Sequence, residues 1–394
     1  MTNVHYDVVV IGGGIHGAGI AQAAAANGYS VLLLEKSAIG AATSSKSSKL
    51  VHGGLRYLES FQFGLVKECL HERSILLRIA PELVKLVPFY IPVYKQTTRR
   101  PWKIRLGLQI YRALSSFDQD ARFSALSSQQ WSALNGLSLQ NLQAVYQYFD
   151  AQTDDAALTK AVVDSAQQLG ADVLCPATFE AASIQHQECE ISVSVADKQL
   201  SYSCGVLVNA AGAWVNHVLD KCTPEQSGLS VDNVQGTHII VDDPEKTGVF
   251  YLEAPQDQRA IFAIPWKGQT MIGTTETVFT GDVASVLPLD SEISYLLDVY
   301  NHYFCDTTTS RSDVVDAFAG LRVLPRSSNS LFHRVRDTRL LTNVDNKPRM
   351  ISMYGGKLTA YRSTAQRVIQ LIEASLPQRK SRGDTCSINL KPVG

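Results

Sequence analysis

The sequence predicts an α/β fold whose domains interleave instead of following one another. A short β-branched run near the N-terminus leads through a glycine-rich turn into an alanine-rich helix. A mixed set of periodic helices and apolar strands then follows to the end of the chain. No Pro/Gly-rich linker, internal repeat or low-complexity segment divides it, although 394 residues exceed one ordinary domain.

The elements follow in order. Tyr6–Ile11 reads as a buried parallel strand: short, β-branched and bounded by glycine. Ile15–Asn27 is rich in alanine and reads as a helix stopped by Gly28. Ser30–Glu35 is a second apolar strand, which completes a strand–turn–helix–strand unit. Leu65–Ile79 reads as a helix ending before Pro81. Asp154–Leu169 is another helix, with Thr153 or Asp154 as N-cap and Gly170 after its end. Val206–Asn209 is a buried strand. Ala260–Pro265 and Thr270–Gly273 flank Lys267-Gly268 and predict a hairpin. Ile351–Tyr354 runs as a strand into Gly355-Gly356, and Thr359–Ala374 closes the pattern as a helix.

Composition narrows the function classes. Hydrophobic residues at 45% and charged residues at 19% are ordinary globular values. A net charge of -1 provides no basic field for nucleic acid. The seven cysteines show no C-x-x-C pair, which argues against a disulfide framework or metal site and for a reduced, cytoplasmic compartment. Val8–Ile11 is too short, and too poor in flanking charge, for a secretory signal. No apolar stretch is long enough to span a bilayer as a helix.

Gly12-Gly13-Gly14-Ile15-His16-Gly17 is a G-x-G-x-x-G turn in the context that gives it meaning, between strand and helix. Gly12 makes the tight turn, Gly14 admits a pyrophosphate to the backbone, and Gly17 allows close helix–strand packing. The helix start offers N–H groups and partial positive charge to phosphates. Glu35, at the end of the second strand, has the spacing of an acid that accepts ribose hydroxyls. His16 reads as a helix-surface residue. On these residues alone NAD and FAD both remain open.

The run from Ala42 to Leu58 (ATSSKSSKLVHGGLRYL) resembles the signature of the FAD-dependent glycerol-3-phosphate dehydrogenases. Further matches follow in order: Leu207–Trp214, Gly236–Ile239, Ile264–Trp266, Ile272–Thr275, Ala319–Arg322 and Gly355–Arg362. The resemblance extends to about residue 375. It implies the D-amino-acid-oxidase-like flavoprotein fold: a discontinuous Rossmann-like FAD-binding domain over residues 1–88, 150–232 and 318–394. That domain is interleaved with a mixed-sheet, α+β substrate domain over 89–149 and 233–317. It further implies oxidation of sn-glycerol 3-phosphate to dihydroxyacetone phosphate by hydride transfer to flavin N5, with a quinone as final acceptor. Family members usually continue into a C-terminal helical domain, which these 394 residues do not include. Leu324-Pro325-Arg326 also replaces a different family loop.

The same resemblance assigns roles. Arg322 and Arg336 match the phosphate-binding arginines, with Arg334 and Arg339 as rivals of Arg336; a planar fork of donors suits a phosphate monoester. Arg56 and Tyr57 fall at the substrate, where a cation polarises the forming carbonyl. Lys357, with Gly356, Leu358 and Thr359, falls at the flavin pyrimidine and favours its reduced, anionic form. His238 is the expected base, and His52 its rival; the Gly53-Gly54 pair after His52 points to flavin packing. Lys36, Thr43, Ser44, Ser47, Ser48, Lys49, Gly53, Gly212 and Trp214 complete the expected cofactor contacts. Two other readings are an oxidase of a small hydroxy or amino acid and a non-catalytic FAD-binding protein. Arg99–Phe117 pairs basic residues with an apolar arc of Trp102, Leu106, Ile110, Ala113, Leu114 and Phe117, which predicts peripheral contact with an anionic membrane surface, the inner face of the plasma membrane.

Overall fold

The computed structural model describes residues 4–393 except 135, 245, 305–307 and 327–337. Its first sheet grows from the N-terminal unit. Val4–Ile11 lies parallel between Val31–Leu34 and Lys198–Asn209; Asp172–Leu174 and Met350–Tyr354 extend the parallel set on either side. Period-2 alternation splits the first strand between two cores. Val8 and Val10 face the helices Ile15–Ala26, Asp155–Gln168 and Tyr361–Ile372. Val9 and Ile11 face a layer that includes Phe179, Ile191 and Val193, from strands Thr178–Ile184 and Cys189–Val195. Burial on both faces explains the unbroken apolar runs of these strands.

Local signals set the element ends. Helix Ile15–Ala26 stops at Asn27, and Gly28 follows with φ of +90°. Asp154, the N-cap of Asp155–Gln168, accepts the Ala157 N–H. Lys198–Asn209 is longer than Val206–Asn209 because its first seven residues, mostly not buried, pair antiparallel with Cys189–Val195 across the tight turn at Ala196-Asp197 and carry no apolar run. The last helix is Tyr361–Ile372, two residues shorter at each end than the periodicity predicts; Glu373–Ser375 continues it as a 3₁₀ turn.

The second sheet is mixed. Val84–Tyr94 pairs antiparallel with Leu142–Thr153, and Val231–Val241 pairs with both Val314–Pro325 and Gln269–Gly273. The predicted hairpin is present as Ala260–Trp266 and Gln269–Gly273, turning on Lys267 and Gly268, both with positive φ. The expected domain boundaries at 88/89, 149/150, 232/233 and 317/318 all fall inside strands of this sheet. One face packs on helix Asp290–Tyr303; the other packs on Phe63–Ile79 and Pro101–Leu114. In Pro101–Leu114 the sheet-facing residues are Ile104, Leu108 and Tyr111, whereas Trp102 is 63% exposed and Leu106 49%. The helix therefore carries two apolar faces, one covered by protein. No helix of the described residues is long and apolar enough to cross a membrane.

Candidate active site

The carboxyl ends of the parallel strands open onto a cavity of about 920 Å³, bordered on its other side by the second sheet. In open α/β sheets ligands bind at this end of the strands. The cavity is lined by Gly12, Gly14, Glu35, Lys36, Thr43, Ser44, Ser47, Ser48, His52, Arg56, Tyr57, Gly212, Trp214, Arg322, Gly356, Lys357, Leu358 and Thr359. These expected site residues lie far apart in sequence, and the fold brings them together.

The glycine-rich turn forms one end. Gly12 has φ of +107°, and a Cβ on Gly17 would lie 1.8 Å from the Gly12 carbonyl oxygen, so neither position accommodates a side chain. Glu35 accepts the Gly13 N–H at 2.7 Å and the Ser37 N–H at 2.9 Å. Ser44 Oγ accepts the Ile15 N–H, so this serine completes the helix start. Lys36 Nζ lies 3.6 Å from the centre of the Trp214 ring. Glycine cradle, helix start and terminal acid together fit a dinucleotide.

The other end is cationic. Arg322 donates to Glu276 Oε1 at 3.1 Å and to Thr274 Oγ1 at 3.2 Å. Arg56 approaches the same Glu276 Oε1 at 3.8 Å, and Arg259 lies 3.1 Å from Oε2. The Glu276 side chain is only 4% exposed. Lys357 Nζ stands 3.9 Å from the Tyr57 ring centre, buried and without a hydrogen-bond partner among the described residues. A buried ammonium in that state suits a partially or fully anionic ligand.

Several expected residues stand elsewhere. His238 is buried one layer behind the cavity; its Nε2 is 2.8 Å from Ser48 Oγ and its ring stacks on Phe318. Burial, with Arg322 and Lys49 nearby, pushes its imidazole down to about 3. His52 does line the cavity, and burial lowers its basicity too. Lys49, expected at the cofactor, instead bridges Asp155 and the Ser45 carbonyl, each at 2.6 Å, because a buried ammonium needs a counter-charge. Gly53 packs against Tyr111, whose hydroxyl accepts its N–H at 2.8 Å. Gly17 lies under the turn. Arg334 and Arg336 lie outside the described residues; Arg339 is exposed on strand Arg339–Thr342.

His16 corrects the surface reading. It lines the cavity beneath Gly356, both ring nitrogens are buried without partners among the described residues, and burial lowers it to about 4. Residue-by-residue reading also missed Arg259, Thr274 and Glu276. The signal was the predicted hairpin itself. Phe262 pairs with Gly273, and continuing that register three residues toward the open end sets Arg259 opposite Glu276.

Comparison with known proteins decides the family. The model of the DAO family, FAD dependent oxidoreductases, matches residues 7–362. The aerobic glycerol-3-phosphate dehydrogenase of Escherichia coli (strain K12) is 36% identical over 374 residues, 92% of this chain and 72% of that protein. The chain belongs to the FAD-dependent glycerol-3-phosphate dehydrogenase family. The glycerol-3-phosphate dehydrogenase of Pseudomonas aeruginosa is 37% identical over 93% of this chain and 72% of its own. Among solved structures, the glycerol-3-phosphate dehydrogenase of Bacillus halodurans complexed with FAD superposes with a TM-score of 0.76 at 27% identity, covering 98% of this chain and 68% of that one. L-alpha-glycerophosphate oxidase from Mycoplasma pneumoniae with FAD bound gives 0.79 at 15% identity, over 99% and 100% of the two chains, a likeness of fold. For a glycerol-3-phosphate dehydrogenase the cavity has a consistent polarity, with the dinucleotide turn at one end and the arginines at the other.

Proposed function

We propose that this chain oxidises sn-glycerol 3-phosphate to dihydroxyacetone phosphate, passing electrons through FAD to a quinone. The observation that supports this reading most is the gathering of Arg56 and Arg322 on Glu276, beside Lys357 and Tyr57, in one cavity. FAD, when bound, supplies the two-electron acceptor; position and electrostatics belong to the protein. Arg322 holds the phosphate through its planar fork. Arg56 polarises the substrate oxygen as it becomes a carbonyl. Lys357, near the start of helix Tyr361–Ile372, places positive charge where reduction adds negative charge.

The hydroxyl proton passes through Ser48 Oγ, which borders the cavity, to His238 Nε2. His238 is neutral at physiological pH and so has an open lone pair. A phosphate bound at Arg322 offsets one of the cations that disfavour protonated His238, which makes the imidazole a better base when substrate is present. Arg322→Ala is expected to raise KM for glycerol 3-phosphate far more than for glycerol. A lost charge-assisted contact costs roughly 1.5–3 kcal/mol, about ten- to a hundredfold. Equal losses on the two substrates, measured by steady-state kinetics, would remove Arg322 from phosphate binding.

The outward face of Pro101–Leu114 supports a peripheral membrane contact, which would bring a bilayer quinone toward the flavin. Trp102 and Leu106 project there beside Lys103 and Arg105, and Phe117, just past the helix end, is 66% exposed. Wild type is expected to float with anionic liposomes at low salt, and Trp102→Ser/Leu106→Ser to float less. Wild type left in the soluble fraction would sink the proposal.

A further inference from the structure

We propose that Arg259, positioned by the Glu276 carboxylate, is a specificity-determining cation that reads the substrate's phosphate. The proposal rests on the reading of the cavity as a glycerol 3-phosphate site and adds to it a residue pair with no other assigned role. Glu276 divides its two oxygens between neighbours. Oε1 takes Arg322 at 3.1 Å and faces Arg56 at 3.8 Å, while Oε2 takes Arg259 at 3.1 Å. One carboxylate thus ties three guanidinium groups from three separate segments to one wall of the cavity.

That arrangement fixes direction as well as charge. A guanidinium is a rigid fork, so holding one edge orients the others. Arg259 spends one edge on Glu276 Oε2 and on the Glu276 carbonyl at 3.4 Å; the side chain lines the cavity and is 16% exposed. Its Nε is buried with no hydrogen-bond partner among the described residues. The backbone is held as well: the Arg259 N–H donates to Asp257 Oδ1, the oxygen that also accepts the Tyr295 hydroxyl. Arg259 and Glu276 each lie three residues beyond the last pair of the hairpin, Phe262 with Gly273, one on each arm. A neutral polyol offers such a wall only uncharged hydroxyl acceptors, which bind a guanidinium more weakly. A phosphate monoester offers it a spread of charged acceptor oxygens.

The test is steady-state turnover by FAD-loaded enzyme on glycerol 3-phosphate and on glycerol, comparing wild type with Arg259→Gln, Arg259→Lys, Glu276→Gln and Glu276→Asp. FAD content per chain is measured for each variant from flavin absorbance. Arg259→Gln is expected to lower the kcat/KM preference for glycerol 3-phosphate roughly tenfold to a hundredfold, through KM and not kcat. Arg259→Lys restores charge without the fork and is expected to fall between. Glu276→Gln lowers the preference by releasing the guanidiniums, and Glu276→Asp recovers part of it, which a general loss of folding would not do. Wild-type preference in Arg259→Gln, with full FAD content, overturns the proposal. If Arg259→Gln does not accumulate as a yellow protein, Arg259→Lys decides, and wild-type preference there overturns it equally. Wild type that turns over glycerol 3-phosphate beside an indifferent Arg259 variant sinks this inference alone; wild type inert toward glycerol 3-phosphate sinks the underlying reading with it.

Discussion

Gly14→Val is expected to give a folded but colourless protein. A Cβ at Gly14 would meet only the Ser44 hydroxyl, at 3.0 Å, and the backbone there is extended, which any residue adopts. The polypeptide can therefore tolerate the side chain. The pyrophosphate cannot, because Gly14 borders the cavity where a dinucleotide approaches the helix start. Gly17→Ala should behave differently. Its Cβ would lie 1.8 Å from the Gly12 carbonyl oxygen, so strand and helix must separate. Overpacking of this kind costs about 1–3 kcal/mol or more and should appear as a lowered Tm even without cofactor. Flavin absorbance per chain and circular-dichroism melting distinguish the two. Full FAD content in Gly14→Val would remove the glycine turn from cofactor binding.

Arg73→Met is expected to be among the most damaging single changes to stability. Arg73 is fully buried and donates to Asp150 Oδ1 at 2.6 Å and to the Phe149 carbonyl at 3.0 Å. Asp150 Oδ2 accepts the Tyr111 hydroxyl at 2.6 Å, and Tyr111 in turn accepts the Gly53 N–H. This network ties helices Phe63–Ile79 and Pro101–Leu114 to the turn that carries His52 into the cavity. Removing the guanidinium leaves a buried carboxylate without its counter-charge, a loss of about 3–5 kcal/mol. Asp150 and Arg73 replaced together by apolar residues should cost less than Arg73→Met alone, since no charge is stranded. Denaturant unfolding of the holo protein checks both. A cost for Arg73→Met of about 1 kcal/mol or less would mean water reaches the network.

How much of this was legible in the sequence depended on how local each feature is. The first unit was readable almost to the residue because its glycines, alanine-rich helix and flanking strands signal over a short span of chain. Strand Lys198–Asn209 was read only in its last four residues, which are buried; its first seven, mostly not buried, pair with Cys189–Val195 across a tight turn and show no apolar run. Lys49 sits within a family signature yet faces Asp155, because a signature does not say toward which side each residue turns. Arg259 and Glu276 went unseen as a pair because their meeting depends on hairpin register, although the turn at Lys267-Gly268 carried that information. Trp102 and Tyr111 shared one helix with two apolar faces, and only packing against the second sheet told which face was covered.

The central claim is that the cavity oxidises glycerol 3-phosphate, and anaerobic reduction of the bound flavin tests it most directly. Purified yellow protein, mixed without oxygen with glycerol 3-phosphate, should lose its flavin absorbance in a single turnover and release dihydroxyacetone phosphate. Glycerol or a small hydroxy or amino acid at the same concentration should reduce it far more slowly. Flavin that stays oxidised with glycerol 3-phosphate, or bleaches first with one of the other compounds, would contradict the account.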